Sequence, residues 1–205
     1  MILGLFLPIK CDIGIFADDT RTVHRILTEL DAEDLQADLD MLYEWADDNN
    51  MAFNGLKFEV LKYGNNDVKY NYDYTNPGAT DNIEEKDTLR DLGIQMSNNG
   101  KYDEHITYVV RKAKKKAAWI RRSFIRNDIS FRRKLWRTYI EGAMDYGSQL
   151  WSPIESSKLS YLESVLRGYL ASTKGLDLYS HWERLKICNL QSIQRRHEGY
   201  KVMYI

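Results

Sequence analysis

The sequence predicts an α+β chain in which an acidic, largely sheet-forming half comes first and a basic, helical half follows. Three observations carry that class. As far as Gly100, short β-branched or aromatic runs bounded by turn residues prevail, interrupted by one amphipathic helix. From Tyr102 onward apolar residues recur at helical spacing. Charge changes sign at the same place: 20 acids face 7 bases from Asp12 to Asp91, whereas 13 bases face 3 acids from Lys101 to Arg137. The net charge of −1 conceals this split, which suggests a cation site and a polyanion site provided by different parts. The segments expected are 1–100, 101–145 and 146–205.

Composition excludes several classes. A hydrophobic content of 43% over 205 residues supports a real core, so the chain is not disordered. Cys11 and Cys188 are too few for a disulfide framework, and the four histidines complete no Cys/His zinc cluster. A reducing, intracellular setting follows, nucleus or cytoplasm. The apolar start, Met1 to Pro8, lacks a basic leader and is far shorter than a membrane span, so no membrane is expected as partner.

In order, Ile13 to Phe16 reads as a short buried strand that stops at two adjacent carboxylates, Asp18-Asp19, in turn chemistry. On a straight strand neighbouring side chains point to opposite faces, whereas a tight turn lets both carboxylates face one cleft. Clustered aspartates suit Mg²⁺; a solvated turn has the same sequence. Arg21 to Leu27 serves as the return strand. Asp31 reads as the N-cap of a helix reaching Asp48, whose stripe Leu35, Leu39, Leu42 and Ala46 covers a sheet while its many aspartates face solvent. Phe58 to Gly64 has strand character. Val68 to Tyr74 suits an edge hairpin with Asn76-Pro77-Gly78 as its turn, and Leu89 to Met96 reads as one further strand.

Beyond Tyr102, Ile106, Val109, Val110, Ala113, Ala117, Ile120 and Phe124 form one helical stripe, and Arg111, Lys115, Arg122 and Arg126 line the opposite side. Lys112, Lys114, Lys116 and Arg121 add to that row with almost no acids between them. Such a row is either a solvated surface or a phosphate-binding face. A second basic helix, carrying Arg133, begins near Asp128 or Ser130. Trp136 and Tyr139 are able to stack on bases, although Trp136 at this spacing reads rather as core. A helix at about Ser156 to Thr173, stopped at Gly175, and two short helices from His181 complete the chain.

Several of these segments resemble one family in an ordered series. Phe16-Ala17-Asp18-Asp19-Thr20 is similar to the aromatic-Ala-Asp-Asp motif of reverse transcriptases in the form found in non-LTR retrotransposons, with Phe where Tyr is usual. Asn54-Gly55-Leu56-Lys57 resembles the Asn-x-x-Lys palm motif. Leu92-Gly93-Ile94 after Arg90-Asp91 resembles the Leu-Gly motif of the primer grip. Glu104-His105-Ile106 leading into Arg111-Lys112-Ala113, then Trp151-Ser152-Pro153 and Gln194-Arg195-Arg196, are similar to the thumb and C-terminal region of jockey-like elements.

The resemblance implies part of a polymerase palm, an antiparallel sheet with a packed helix, followed by an all-helical thumb and a helical extension. It implies RNA-directed DNA synthesis with an RNA template, a DNA primer or RNA-DNA hybrid, and deoxynucleotides, using two Mg²⁺ or Mn²⁺ ions. Asp18 is then the principal metal ligand, Asp19 a secondary or structural one, and Lys57 a general acid or charge clamp on the leaving pyrophosphate. Leu92 and Gly93 fall in the primer grip; Arg111, Lys112, Lys115, Arg122, Arg126 and Arg133 fall to the nucleic acid. The family's earlier motifs have no room before Asp18, so this stretch is expected to extend no primer by itself. A module that only binds nucleic acid, and a relic without function, are the alternatives.

Overall fold

The computed structural model describes residues 9–17, 19–51, 53–64, 68–76 and 79–203. The chain forms two compact units, Met1–Leu89 with Asn98–Gly100, and Arg90–Ser97 with Lys101–Ile205. Helix and small two-stranded sheets together make an α+β chain.

In the first unit, β1 (Asp12–Phe16) and β2 (Asp19–Val23) form an antiparallel hairpin with Phe16 opposite Asp19. Ala17 takes φ 55, the left-handed conformation that tight hairpin turns use. Two expectations change here. The return strand starts at Asp19 rather than Arg21, so Asp19 is a strand residue. The strands are also not buried, since Ile15, Phe16 and Val23 are 44%, 65% and 56% exposed. A sheet of two strands has no third strand to extend the surface that a helix could cover.

The helix α1 (Glu29–Asp48) starts from Thr28, not Asp31. Asp31 is instead the third helical residue of a capping box: its carboxylate accepts the Leu27 and Thr28 N–H groups at 2.8 and 2.7 Å, and Thr28 Oγ1 accepts the Asp31 N–H. Those backbone donors hold the Asp31 carboxyl below the usual carboxylate range. Ala32, Leu42 and Ala46 are buried and Leu35 and Leu39 half-buried, as the stripe requires. Asp38 departs from the solvated face expected for the aspartates. It is 1% exposed and accepts the N–H groups of Lys10 and Cys11 at 3.0 and 2.7 Å, tying the segment before β1 to the helix. Burial, reinforced by this carboxylate, pushes the Cys11 thiol up to about 12.

Beyond a 3-10 turn at Gly55–Lys57, β3 (Glu59–Val60) pairs in parallel with β6 (Glu84–Glu85). The strand expected from Phe58 to Gly64 shrinks to these two residues, and Phe58 joins an aromatic cluster with Tyr43, Phe53 and Tyr74, ring centroids 4.8 to 6.1 Å apart. The antiparallel pair β4 (Asp73–Asn76) and β5 (Ala79–Asn82) flanks the expected turn, of which Pro77 and Gly78 lie outside the described residues. The Gln36 side chain fastens α1 to β4, accepting the Asp73 N–H at 2.9 Å and donating to its carbonyl at 3.1 Å.

What reads as one strand from Leu89 to Met96 is a hairpin, β7 (Thr88–Asp91) and β8 (Ile94–Ser97), folded at Leu92 and Gly93 with φ 45 and 85. Glycine tolerates that backbone and Leu92 carries the strain.

The second unit is helical: α2 (Asp103–Ser123), α3 (Ile129–Trp136) running through a π turn at Arg137–Glu141 into α4 (Gly142–Asp145), α5 (Ser148–Trp151), α6 (Ser156–Ala171), α7 (His181–Cys188) and α8 (Ile193–Met203). Its core joins the α2 stripe to Leu135, Trp136, Ile140, Met144, Trp151 and the buried face of α6. Trp136 is fully buried, as its spacing requires. The third long helix ends at Ala171, and Gly175, at φ 85, turns the chain after it rather than capping it. Among the described residues no helix is long and apolar enough to cross a membrane.

Candidate functional site

The residues singled out in the sequence fall into three places. Asp19 opens β2 with an exposed side chain, and Asp18 lies outside the described residues. Lys57 closes the 3-10 turn, also exposed. Among the described residues no three His, Cys, Asp or Glu side chains gather as a metal site, and no hydrogen bond or ion pair joins Asp19 to Lys57. Of the expected pair of carboxylates only Asp19 is among the described residues.

Leu92 and Gly93 occupy the tip of the β7–β8 hairpin, which the helical unit holds firmly. The Tyr146 hydroxyl donates to the Leu92 carbonyl at 2.9 Å, and the Gln95 N–H donates to His105 Nδ1 at 3.2 Å. A side chain at Gly147, φ 63, would meet Ile94 Cδ1 at 2.6 Å, so glycine there permits the close approach of β8 to α5.

The third place is the outer face of α2. Its buried side is His105, Ile106, Val109, Val110, Ala113, Ala117 and Ile120. At 100° per residue, Arg111, Lys115 and Arg122 lie within about 40° of one another on the opposite side. They are exposed, as are Lys112, Lys114 and Arg121 beside them. Lys112 Nζ sits over the Tyr108 ring at 5.6 Å, Lys114 Nζ over Tyr161 at 5.1 Å, and Lys116 donates to the Tyr139 carbonyl at 2.8 Å. Among the described residues Arg111, Lys112, Lys115, Arg121 and Arg122 have no acidic partner within ion-pair distance. A row of like charges at three- and four-residue spacing repels itself, so an anion bound along it relieves that cost.

Two expected members of this face are placed differently. Arg126 lies past the end of α2, because Phe124 turns extended at φ −120. It pairs with Asp128, which in turn N-caps α3, and its guanidinium covers the Phe131 ring at 5.2 Å. Arg133 is half-buried on α3. Its neighbour Arg132 is 2% exposed, stacked 4.2 Å from the Tyr169 ring centroid and bonded to Ser172 Oγ at 2.9 Å. Burial lowers the Arg132 pKa and pushes the Tyr169 phenol up to about 12.

The later motif segments converge within the second unit. The His105 ring meets Trp151 edge-on at 5.0 Å, and Trp151 meets His197 at 5.3 Å. Arg196 grips Asp145 through Nε and Nη2 at 3.1 and 3.2 Å and reaches Glu141 at 3.3 Å. His197 Nδ1 lies 3.1 Å from Ser152 Oγ. Its Nε2 comes within 3.3 Å of Asp145 Oδ1 but is misaligned for a hydrogen bond, and Asp145 is already held by Arg196. Ser152, His197 and Asp145 therefore lock α8 onto α4 and α5 rather than form a nucleophilic relay. Asp38, Arg132 and His197 carry no sequence signal of these roles. Trp119, 42% exposed, is visible in the sequence as a large aromatic set among the cations of α2.

Comparisons of the chain with protein-family models, with curated proteins and with solved structures return no match.

Proposed function

We propose that this chain is part of an RNA-directed DNA polymerase of the non-LTR retrotransposon kind, in which its helical unit holds the RNA template and DNA primer by their phosphates. The observation that carries the reading is α2, apolar on one face and carrying Arg111, Lys115 and Arg122 on the other with Lys112 and Arg121 on its two flanks, five exposed cations without acidic partners among the described residues. The ordered motif series supplies the polymerase part of the proposal. In it Asp18 and Asp19 hold Mg²⁺, which would stabilise charge on the transferred phosphoryl group. No catalytic step follows from the described residues alone, among which Asp19 belongs to no group of three potential metal ligands. Lys57, exposed on its turn, is free to meet a phosphate. The setting proposed is intracellular.

A second reading, a nucleic-acid-binding module without polymerase chemistry, is favoured by the cation face being complete within the helical unit. Both readings require that face. Lys115→Glu with Arg122→Glu reverses two of its cations at exposed positions, where folding is little affected. Binding of a labelled RNA-DNA hybrid at low salt should weaken by at least tenfold, with unchanged helical circular dichroism. Unchanged affinity would remove the basis of both readings.

A further inference from the structure

The outer face of α2 carries one feature that phosphate binding does not use. Trp119 is 42% exposed in the middle of the cation row, with Lys115 and Lys116 one turn before it, Arg122 one turn after it and Lys112 two turns before. Two rings brace its indole in T-shaped contacts: Tyr139, on the π turn and 40% exposed, at 5.5 Å, and Phe124 at 5.7 Å. Lys116 fixes the Tyr139 backbone by donating to its carbonyl at 2.8 Å. A large aromatic left half-exposed, braced by two rings and surrounded by cations, is poorly placed for a hydrophobic protein contact, because docking there would strip water from the lysines. It is well placed for a base whose own phosphate reaches those cations.

We infer that Trp119, braced by Tyr139, is a stacking platform for an unpaired base, so that the basic face of α2 prefers single-stranded nucleic acid or the frayed end of a duplex to an intact double helix. The inference rests on the phosphate-binding reading of that face and adds the class of ligand. In a duplex both faces of each base are covered by its neighbours, leaving only the terminal pair for the indole, whereas every base of a single strand offers a π-face. RNA and DNA single strands share that chemistry.

The test uses the whole 205-residue chain with labelled oligothymidylate, oligouridylate and a closed hairpin duplex capped at its open end, at one salt concentration. Trp119→Ala should weaken both single strands by roughly 5- to 150-fold, the range of one base-aromatic stack. Duplex affinity should stay within about twofold and Trp119→Phe should recover most of the loss. Equal weakening of single strands and duplex, no weakening at all, or failure of Phe to recover binding would each overturn the platform. The Lys115→Glu, Arg122→Glu chain is the control that separates the two claims. If it loses all three ligands while Trp119→Ala loses none, the phosphate face stands and the platform falls. If neither variant loses any ligand, both fall. An effect confined to one of the two single strands assigns the platform to RNA or to DNA.

Discussion

His105 is a buried residue of the second unit whose ionisation burial opposes. It is 2% exposed, its Nδ1 accepts the Gln95 N–H and its ring lies against Trp151. Burial, with Arg90 as a smaller cause, lowers its pKa from the ordinary 6.5. In the unfolded chain the imidazole takes a proton as pH falls through about 6.5, whereas the folded chain takes it only at lower pH, so the unfolded state binds more protons in that window. The stability from neutral His105 is therefore fully present above pH 6.5 and is lost as pH drops towards the folded pKa. Urea unfolding of the chain across that window should show this loss, and His105→Gln should lack it. Parallel curves for the two would show that His105 titrates alike in both states. The role of His105 has no signature in the sequence beyond its place on the apolar side of a helical wheel. Asp38 has less, since in a helix with many acids nothing local marks the one whose oxygens meet the Lys10 and Cys11 amides.

Of the elements, α2 was the most legible, because seven apolar positions at helical spacing admit few other structures and all seven are buried or half-buried. Where it stops was not legible. Helix ends depend on one or two residues, and no proline or glycine marks Phe124. The same limit divided the strand read from Leu89 to Met96 into two, because Leu92 is an unusual residue for a left-handed turn position. The acidic hairpin is legible as a hairpin, yet its return strand begins two residues before Arg21, because alternation says which face a residue takes and not where a strand starts. Asp128 shows what the α2–α3 connection does: it caps α3 through the Phe131 N–H at 3.0 Å and detains Arg126. The capping donors and Arg126 hold its carboxyl below the usual range. Asp128→Ala should cost about 1 kcal/mol of stability through the lost cap. It should also release Arg126 to the basic face, so nucleic-acid affinity should hold or rise. A fall in affinity without unfolding would mean that the loop, not the α2 face, makes the contact.

Over the whole molecule the charges nearly cancel, at −1 net and an isoelectric point of about 6.4. A chain of that balance has no general attraction for a polyanion, so any strong salt-sensitive binding must come from a local concentration of cations. The helical unit supplies one on α2, and the first unit, with its acids on α1 and along β1 and β2, supplies none comparable. That division of charge was legible from composition alone. The four separate two-stranded sheets among the described residues were not, because strand pairing is decided by contacts between distant residues, and a local period of two does not say how many strands will meet.

The measurement that tests the phosphate-binding face most directly is the affinity of the whole chain for a labelled RNA-DNA hybrid at several salt concentrations, repeated with a single strand. With Arg111, Lys112, Lys115, Arg121 and Arg122 each neutralising a phosphate, the logarithm of affinity should fall against the logarithm of salt with a slope of about −4.5 for a duplex and about −3.5 for a single strand. A slope shallower than about −1 for both would mean that at most one of these cations meets a phosphate, and the face of α2 would then be an ordinary solvated surface.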